Sequence, residues 1–140
     1  MEFRKLENKY VVRLDKGEEV AATLKDFCHR EKIILGSVLG IGALKHIELR
    51  YFDPETKKYY DKKFEDSHEA APLSGNVSTM AGETYLHLHA SLGDYNFNTV
   101  TGHLKSAIVS ATLEVIIDSA NGKVDRKLSE EIGLNLLELK

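Results

Sequence analysis

Tyr85-Leu86-His87-Leu88-His89-Ala90 is the stretch on which the reading turns. Side chains alternate between the two faces of a β-strand. As a strand, this segment sends Leu86 and Leu88 to one face, fit for a core. It sends His87 and His89 to the other, two imidazoles on one rigid element. Gly93-Asp94 then begins a turn, and the chain returns through Asn96 to Thr101 to reach Gly102-His103-Leu104. A hairpin over this span would lay His103 beside the first pair, with Gly102 permitting close backbone approach just before it.

Working outward, most of the chain has the same character. Tyr10 to Leu14 is β-branched and aromatic and reads as the first strand. Ile33–Leu39, Lys45–Phe52, Lys57–Phe64, Glu69–Met80, Tyr85–Ser91, Asn98–His103 and Thr112–Ile117 read as further strands, and Leu134–Leu139 as a last one. Asp53-Pro54-Glu55-Thr56 is a turn. Asn121-Gly122 predicts a tight hairpin joining Glu114–Ile117 to Val124–Lys127, and Ser129 could cap a helical turn. One segment has helical spacing: Glu18 to Glu31, where Val20, Leu24, Phe27 and Cys28 share a face. The regular alternation of strands with long helices that a doubly wound sheet needs is missing. The expected fold is therefore α+β, a mostly antiparallel β-sheet with one principal helix, in a single domain spanning residues 1–140.

Composition narrows the function classes. The 140 residues carry 19 Lys+Arg against 22 Asp+Glu, a formal net charge of −3. That is not the basic footprint of a domain built around nucleic acid. Cys28 is the single cysteine, which excludes an internal disulfide and fits a reducing compartment. The most apolar stretch, Ile33 to Leu44, is short and broken by glycines, and no signal peptide opens the chain. A cytoplasmic protein without a membrane span is expected.

Three neutral imidazoles and a water make a common open zinc site, and such a metal lowers the pKa of its water or polarises a carbonyl. His87, His89 and His103 are the candidate ligands, zinc the best fit by ligand type, with nickel, copper or iron also compatible. His29, His46 and His68 read as solvated or hydrogen-bonded imidazoles. Glu69, Glu114 and Asp94 are candidate acid/base partners, and Arg13 could hold an anionic substrate. In Gly36-Ser37-Val38-Leu39-Gly40-Ile41-Gly42-Ala43 the glycines precede a strand pattern rather than a helix. They read as a bulge or a close backbone approach, not a dinucleotide loop. Lys57, Lys58, Lys62 and Lys63 read as a solvated edge hairpin.

These residues, in this order, resemble a family. Tyr10-Val11-Val12-Arg13-Leu14-Asp15-Lys16-Gly17-Glu18-Glu19, Gly40-Ile41-Gly42-Ala43, Leu86-His87-Leu88-His89, Gly102-His103-Leu104 and Leu113-Glu114-Val115 resemble the plant-and-prokaryote-conserved (PPC) domain, from about Tyr10 to the C-terminus. The resemblance implies a homotrimer and a metal, usually zinc, on the residues matching His87, His89 and His103. It also carries a DNA-binding label, which in plant members rests on AT-hooks ahead of the domain. This chain contains no Arg-Gly-Arg core of such a hook. The fold is also distantly similar to acetolactate decarboxylase, a zinc enzyme. The resemblance thus implies a trimeric zinc-binding protein with DNA as a partner. The alternative is a small zinc-dependent lyase or hydrolase acting on a carbonyl compound.

Overall fold

The computed structural model describes all 140 residues. Nine strands and one helix follow in order: β1 (Glu2–Leu6), β2 (Lys9–Asp15), α1 (Val20–Arg30), β3 (Gly36–Asp53), β4 (Lys58–Phe64), β5 (His68–Met80), β6 (Glu83–Gly93), β7 (Thr99–Ser119), β8 (Arg126–Ser129) and β9 (Leu134–Leu137). Every ladder between them is antiparallel. The main sheet runs β1-β2-β7-β6-β5-β3-β4 and closes on itself through an additional β7–β3 ladder. The predicted class, a mostly antiparallel sheet with one helix, is what the chain adopts.

Two of the strands are far longer than the sequence pattern suggests. Lys45–Phe52 and the end of the preceding apolar run join as one 18-residue strand, and Asn98–His103 joins Thr112–Ile117 in a 21-residue strand. A bulge between Gly40 and Gly42 lets β3 bend without ending. Ile33–Leu35 lies outside β3. The β3–β7 ladder is the spine: β5 and then β4 pair along the far edge of β3, and β6 and then β2 along the far edge of β7.

The core is the inner face of this closed sheet. Leu14, Leu44, Leu73, Leu88, Leu92, Leu113 and Ile117 are fully buried there, together with Leu24, Phe27 and Cys28 from α1. Burial pushes the Cys28 thiol up to about 12, so it is a packing group rather than a nucleophile. The helix starts where Glu19 turns back on it. The Glu19 carboxylate accepts from Ala22 N at 2.5 Å and from Ala107 N of β7 at 3.1 Å. One side chain thus caps the helix and ties it to the sheet. Glu19→Ala is expected to cost about 1–2 kcal/mol, read as a lower urea midpoint at unchanged m-value.

The C-terminal expectation is corrected. Asn121-Gly122 does not make a hairpin back onto β7. The chain bends away there, and β8 pairs with β9 in a separate two-stranded sheet. Both edges of this part of β7 are already paired, with β2 on one side and β3 on the other, and Asn8 fastens its end. The Asn8 side chain and carbonyl bond Asp118 and Ser119 there. Ser129 does cap a turn, accepting from Ile132 N at 3.2 Å. β1 carries no sequence signal: its five residues are all exposed, so no hydrophobic alternation marks it. Lys58, Lys62 and Lys63 lie on the exposed edge strand β4, as the hairpin reading expects.

Candidate metal centre

The histidine site is a row across the sheet. His89 on β6 is the direct cross-strand partner of His103 on β7, and His103 is in turn the partner of Arg50 on β3. Arg50 stands opposite Asp61 on β4, and its guanidinium donates to both Asp61 oxygens, at 2.7 and 2.8 Å. His87 lies two residues before His89 on the same face, opposite Asn76 of β5. The expected hairpin brings all three imidazoles together, and Leu88 between them is buried as expected. Gly102 lies tight against β3: a Cβ there would stand 3.2 Å from the Arg50 carbonyl oxygen.

One ring nitrogen from each of His87, His89 and His103 lies within 4.8 Å of the others. The His87 and His89 Nε2 atoms are 3.2 Å apart. Two ligands about 2.0–2.1 Å from a tetrahedral ion stand roughly 3.3 Å apart, so this pair fits one ion. The donor set is all imidazole, and no carboxylate joins it. These three side chains could hold a divalent transition metal, and they suit zinc by ligand type.

Burial and neighbouring positive charge disfavour protonation of two of the imidazoles. Burial, and then the charges of His103, Arg126 and His89, push the His87 imidazole down to about 4. Burial, then His89 and Arg50, lower His103, with Asp61 opposing. A neutral imidazole has a free lone pair. In the metal-free protein the depressed His87 value has a stability consequence. Between its unfolded value of 6.5 and its folded value of about 4, the unfolded chain binds a proton that the folded chain does not. Stability is therefore full above pH 6.5 and falls as the pH drops toward 4. Metal-free His87→Ala is expected to show a shallower loss of Tm over this window than the metal-free parent.

The triad lines a cavity of about 620 Å³. Its walls are aromatic and aliphatic, from Tyr51, Phe52, Tyr59 and Tyr85 on the main sheet and Leu128, Leu134 and Leu136 on the β8–β9 hairpin, with Arg50 and Arg126 as the charged members. No Asp or Glu lines it. Arg126 is buried. Its Nε donates to Ser78 Oγ at 2.8 Å, Nη1 to the Asn135 carbonyl at 2.7 Å and Nη2 to Asn76 Oδ1 at 2.8 Å. Its guanidinium carbon lies 4.7 Å from the Tyr85 ring centre.

The other sequence candidates lie elsewhere. Arg13 pairs with Glu2 and Asp15. Asp94 organises the β6–β7 turn, accepting from Asn96 N and Asn98 N. Glu69 and Glu114 are exposed on β5 and β7, and none of these four reaches the cavity. His29 is exposed at the end of α1, His46 bonds Glu65 at 2.6 Å, and His68 is buried against Phe64 with Nδ1 3.0 Å from the Asp66 carbonyl. Sequence reading missed Arg50 and Arg126. Arg50 is a polar residue in a strand whose cross-strand row is visible only once register is known. Arg126 lies in the segment that the Asn121-Gly122 signal would pair with β7, whereas it pairs with β9.

Comparison with known proteins fits this picture. The chain is 36% identical to a protein from Bacteroides thetaiotaomicron described as a "putative dna binding protein", with a TM-score of 0.95 over 98% of this chain and 96% of that one. It is 34% identical to a plant- and prokaryote-conserved (PPC) protein from Pyrococcus horikoshii, with a TM-score of 0.86 over 98% and 94%. It is 29% identical to a metal-containing protein from Archaeoglobus fulgidus, with a TM-score of 0.87 over 98% and 96%. No curated protein matches it. The Plants and Prokaryotes Conserved (PCC) domain model matches residues 1–121, and the chain belongs to that family.

Proposed function

We propose that this is a zinc-binding PPC-domain protein, one domain over its 140 residues, with His87, His89 and His103 as the metal ligands. The observation that carries the reading is three imidazole nitrogens within 4.8 Å of one another on the wall of a 620 Å³ cavity. A related protein described as metal-containing supports it. A bound zinc ion would supply Lewis acidity toward a ligand oxygen. The chain's own residues supply the ligands, a largely aromatic and leucine wall, and two arginines. Elemental analysis of protein purified without a histidine tag tests the reading: about one zinc per chain supports it, and none overturns it.

The cavity also supports a second reading, a small zinc-dependent lyase or hydrolase acting on a carbonyl compound. Because no carboxylate lines the cavity, proton transfer there would fall to a group such as the Tyr85 hydroxyl, which is 3.4 Å from Asn135 Nδ2. We place the protein in the cytoplasm as a homotrimer. No helix is long and apolar enough to cross a membrane. Val11, Ile116 and Leu39 form one exposed cross-strand row over β2, β7 and β3, with Ile41 close by; a shared interface would cover such a row. Light scattering at micromolar concentration should give three times the chain mass, and a monomer would remove the trimer. DNA association has a relative's description in its favour, against a net charge of −3. Binding at low salt no tighter than that of an unrelated acidic protein would remove it.

A further inference from the structure

Arg126 is a buried cation without a carboxylate partner. The other arginine of the cavity, Arg50, is held by both oxygens of Asp61. Arg13 pairs with Glu2 and Asp15. Arg126 is 8% exposed, and its three hydrogen bonds go to a hydroxyl, a carbonyl and an amide oxygen, all neutral. A guanidinium has five N–H donors. These bonds leave one N–H on each terminal nitrogen. A planar fork with two free donors is matched to a carboxylate. A desolvated charge without a counter-ion is costly unless something of opposite sign completes it.

Its position couples it to the histidine site. Arg126 donates to Asn76, the cross-strand partner of His87. It packs on Tyr85, two residues before His87 on the same face of β6. Arg126 and the three histidines line one cavity, whose remaining walls are largely aromatic and leucine. Arg126 also lies beyond residues 1–121, the part that the family model matches.

We propose that Arg126 is an anion-recognition residue, and that the cavity takes a small organic carboxylate with an apolar body. The carboxylate sits on Arg126, and the body packs among Tyr85, Leu134 and Leu136 beside the histidines. This rests on the metal reading only for what the far end of the ligand meets. The choice of a carboxylate over inorganic phosphate follows from the single unpaired cation and the apolar walls, which suit a monoanion with a hydrophobic tail.

The test is calorimetric titration of the full-length chain, zinc-loaded and metal-free, with benzoate, its neutral analogue benzamide, and inorganic phosphate, with zinc content measured on the same samples. Benzoate should bind at least about tenfold more tightly than benzamide and phosphate. Arg126→Gln should weaken benzoate about tenfold or more while zinc content is unchanged, and Arg126→Lys should weaken it less. Equal binding of benzoate and benzamide to the wild-type chain, or an Arg126→Gln variant that binds benzoate as the parent does, overturns the proposal. Tighter binding of phosphate overturns the carboxylate assignment. Because Arg126 also pins β8 to β5, a misfolded Arg126→Gln leaves the decision to the benzoate–benzamide comparison on metal-free wild type, where no zinc can hold the carboxylate. A chain that selects benzoate but holds no zinc refutes the metal reading and leaves the anion site standing. A chain that holds zinc but does not select benzoate does the reverse.

Discussion

His103→Ala is expected to abolish tight zinc binding, lowering affinity by about 100-fold or more, while leaving the fold intact. Loss of a group that merely hydrogen-bonds a metal ligand costs about 10–100-fold, so loss of a ligand should exceed that. His103 is the central member of the cross-strand row, standing between His89 on β6 and Arg50 on β3. It is also the only one of the three from β7, so without it the remaining pair comes from a single strand. Its side chain is half-buried at the cavity wall rather than in the core, and truncation should cost little stability. Competition against a chromophoric chelator, on tag-free protein, reads the affinity. His46→Ala is the matched control, since His46 is exposed and bonded to Glu65; it should bind zinc within about twofold of the parent. Equal zinc affinity for His103→Ala and the parent would show that the ion lies elsewhere.

The site was legible where local rules decide it. Alternation placed Leu88 inside and His87 and His89 outside, and the Gly93-Asp94 turn was enough to return His103 beside them. The helix was legible for the same reason, since Val20, Leu24, Phe27 and Cys28 fall on one face. What sequence could not convey was long-range register. The fusion of two predicted strands into β7 depends on β3 running beside it from Gly36 to Arg50, a pairing between segments far apart in the chain. The pairing of β8 with β9 instead of β7 follows from β2 and β3 already occupying both edges of β7 there. No local pattern marks Arg126, whose place depends on the β8–β9 pairing, while Arg13, the residue expected to hold an anion, is committed to its own carboxylates.

Gly75→Ala is expected to damage both stability and the metal site. Gly75 lies on β5 opposite Leu88 of β6, between the residues that face His87 and His89. A Cβ at position 75 would fall on the His87 carbonyl oxygen, far inside contact distance, and 2.9 and 3.0 Å from the His87 carbonyl carbon and the Leu88 Cα. These are backbone atoms of a neighbouring strand, so no side-chain rotation relieves the clash. The strands must separate, and the cost should reach about 3 kcal/mol or more, at the upper end of overpacking penalties. For a domain of this size that lowers Tm by roughly 10 °C. The displaced atoms belong to His87 itself, so zinc affinity should fall in parallel. A Cβ at Gly93, at the end of the same strand β6, meets nothing within 4 Å. Gly93→Ala should therefore change stability by no more than about 0.5 kcal/mol and leave zinc binding unchanged. If both variants melt alike, the close approach of β5 to β6 is not what positions His87.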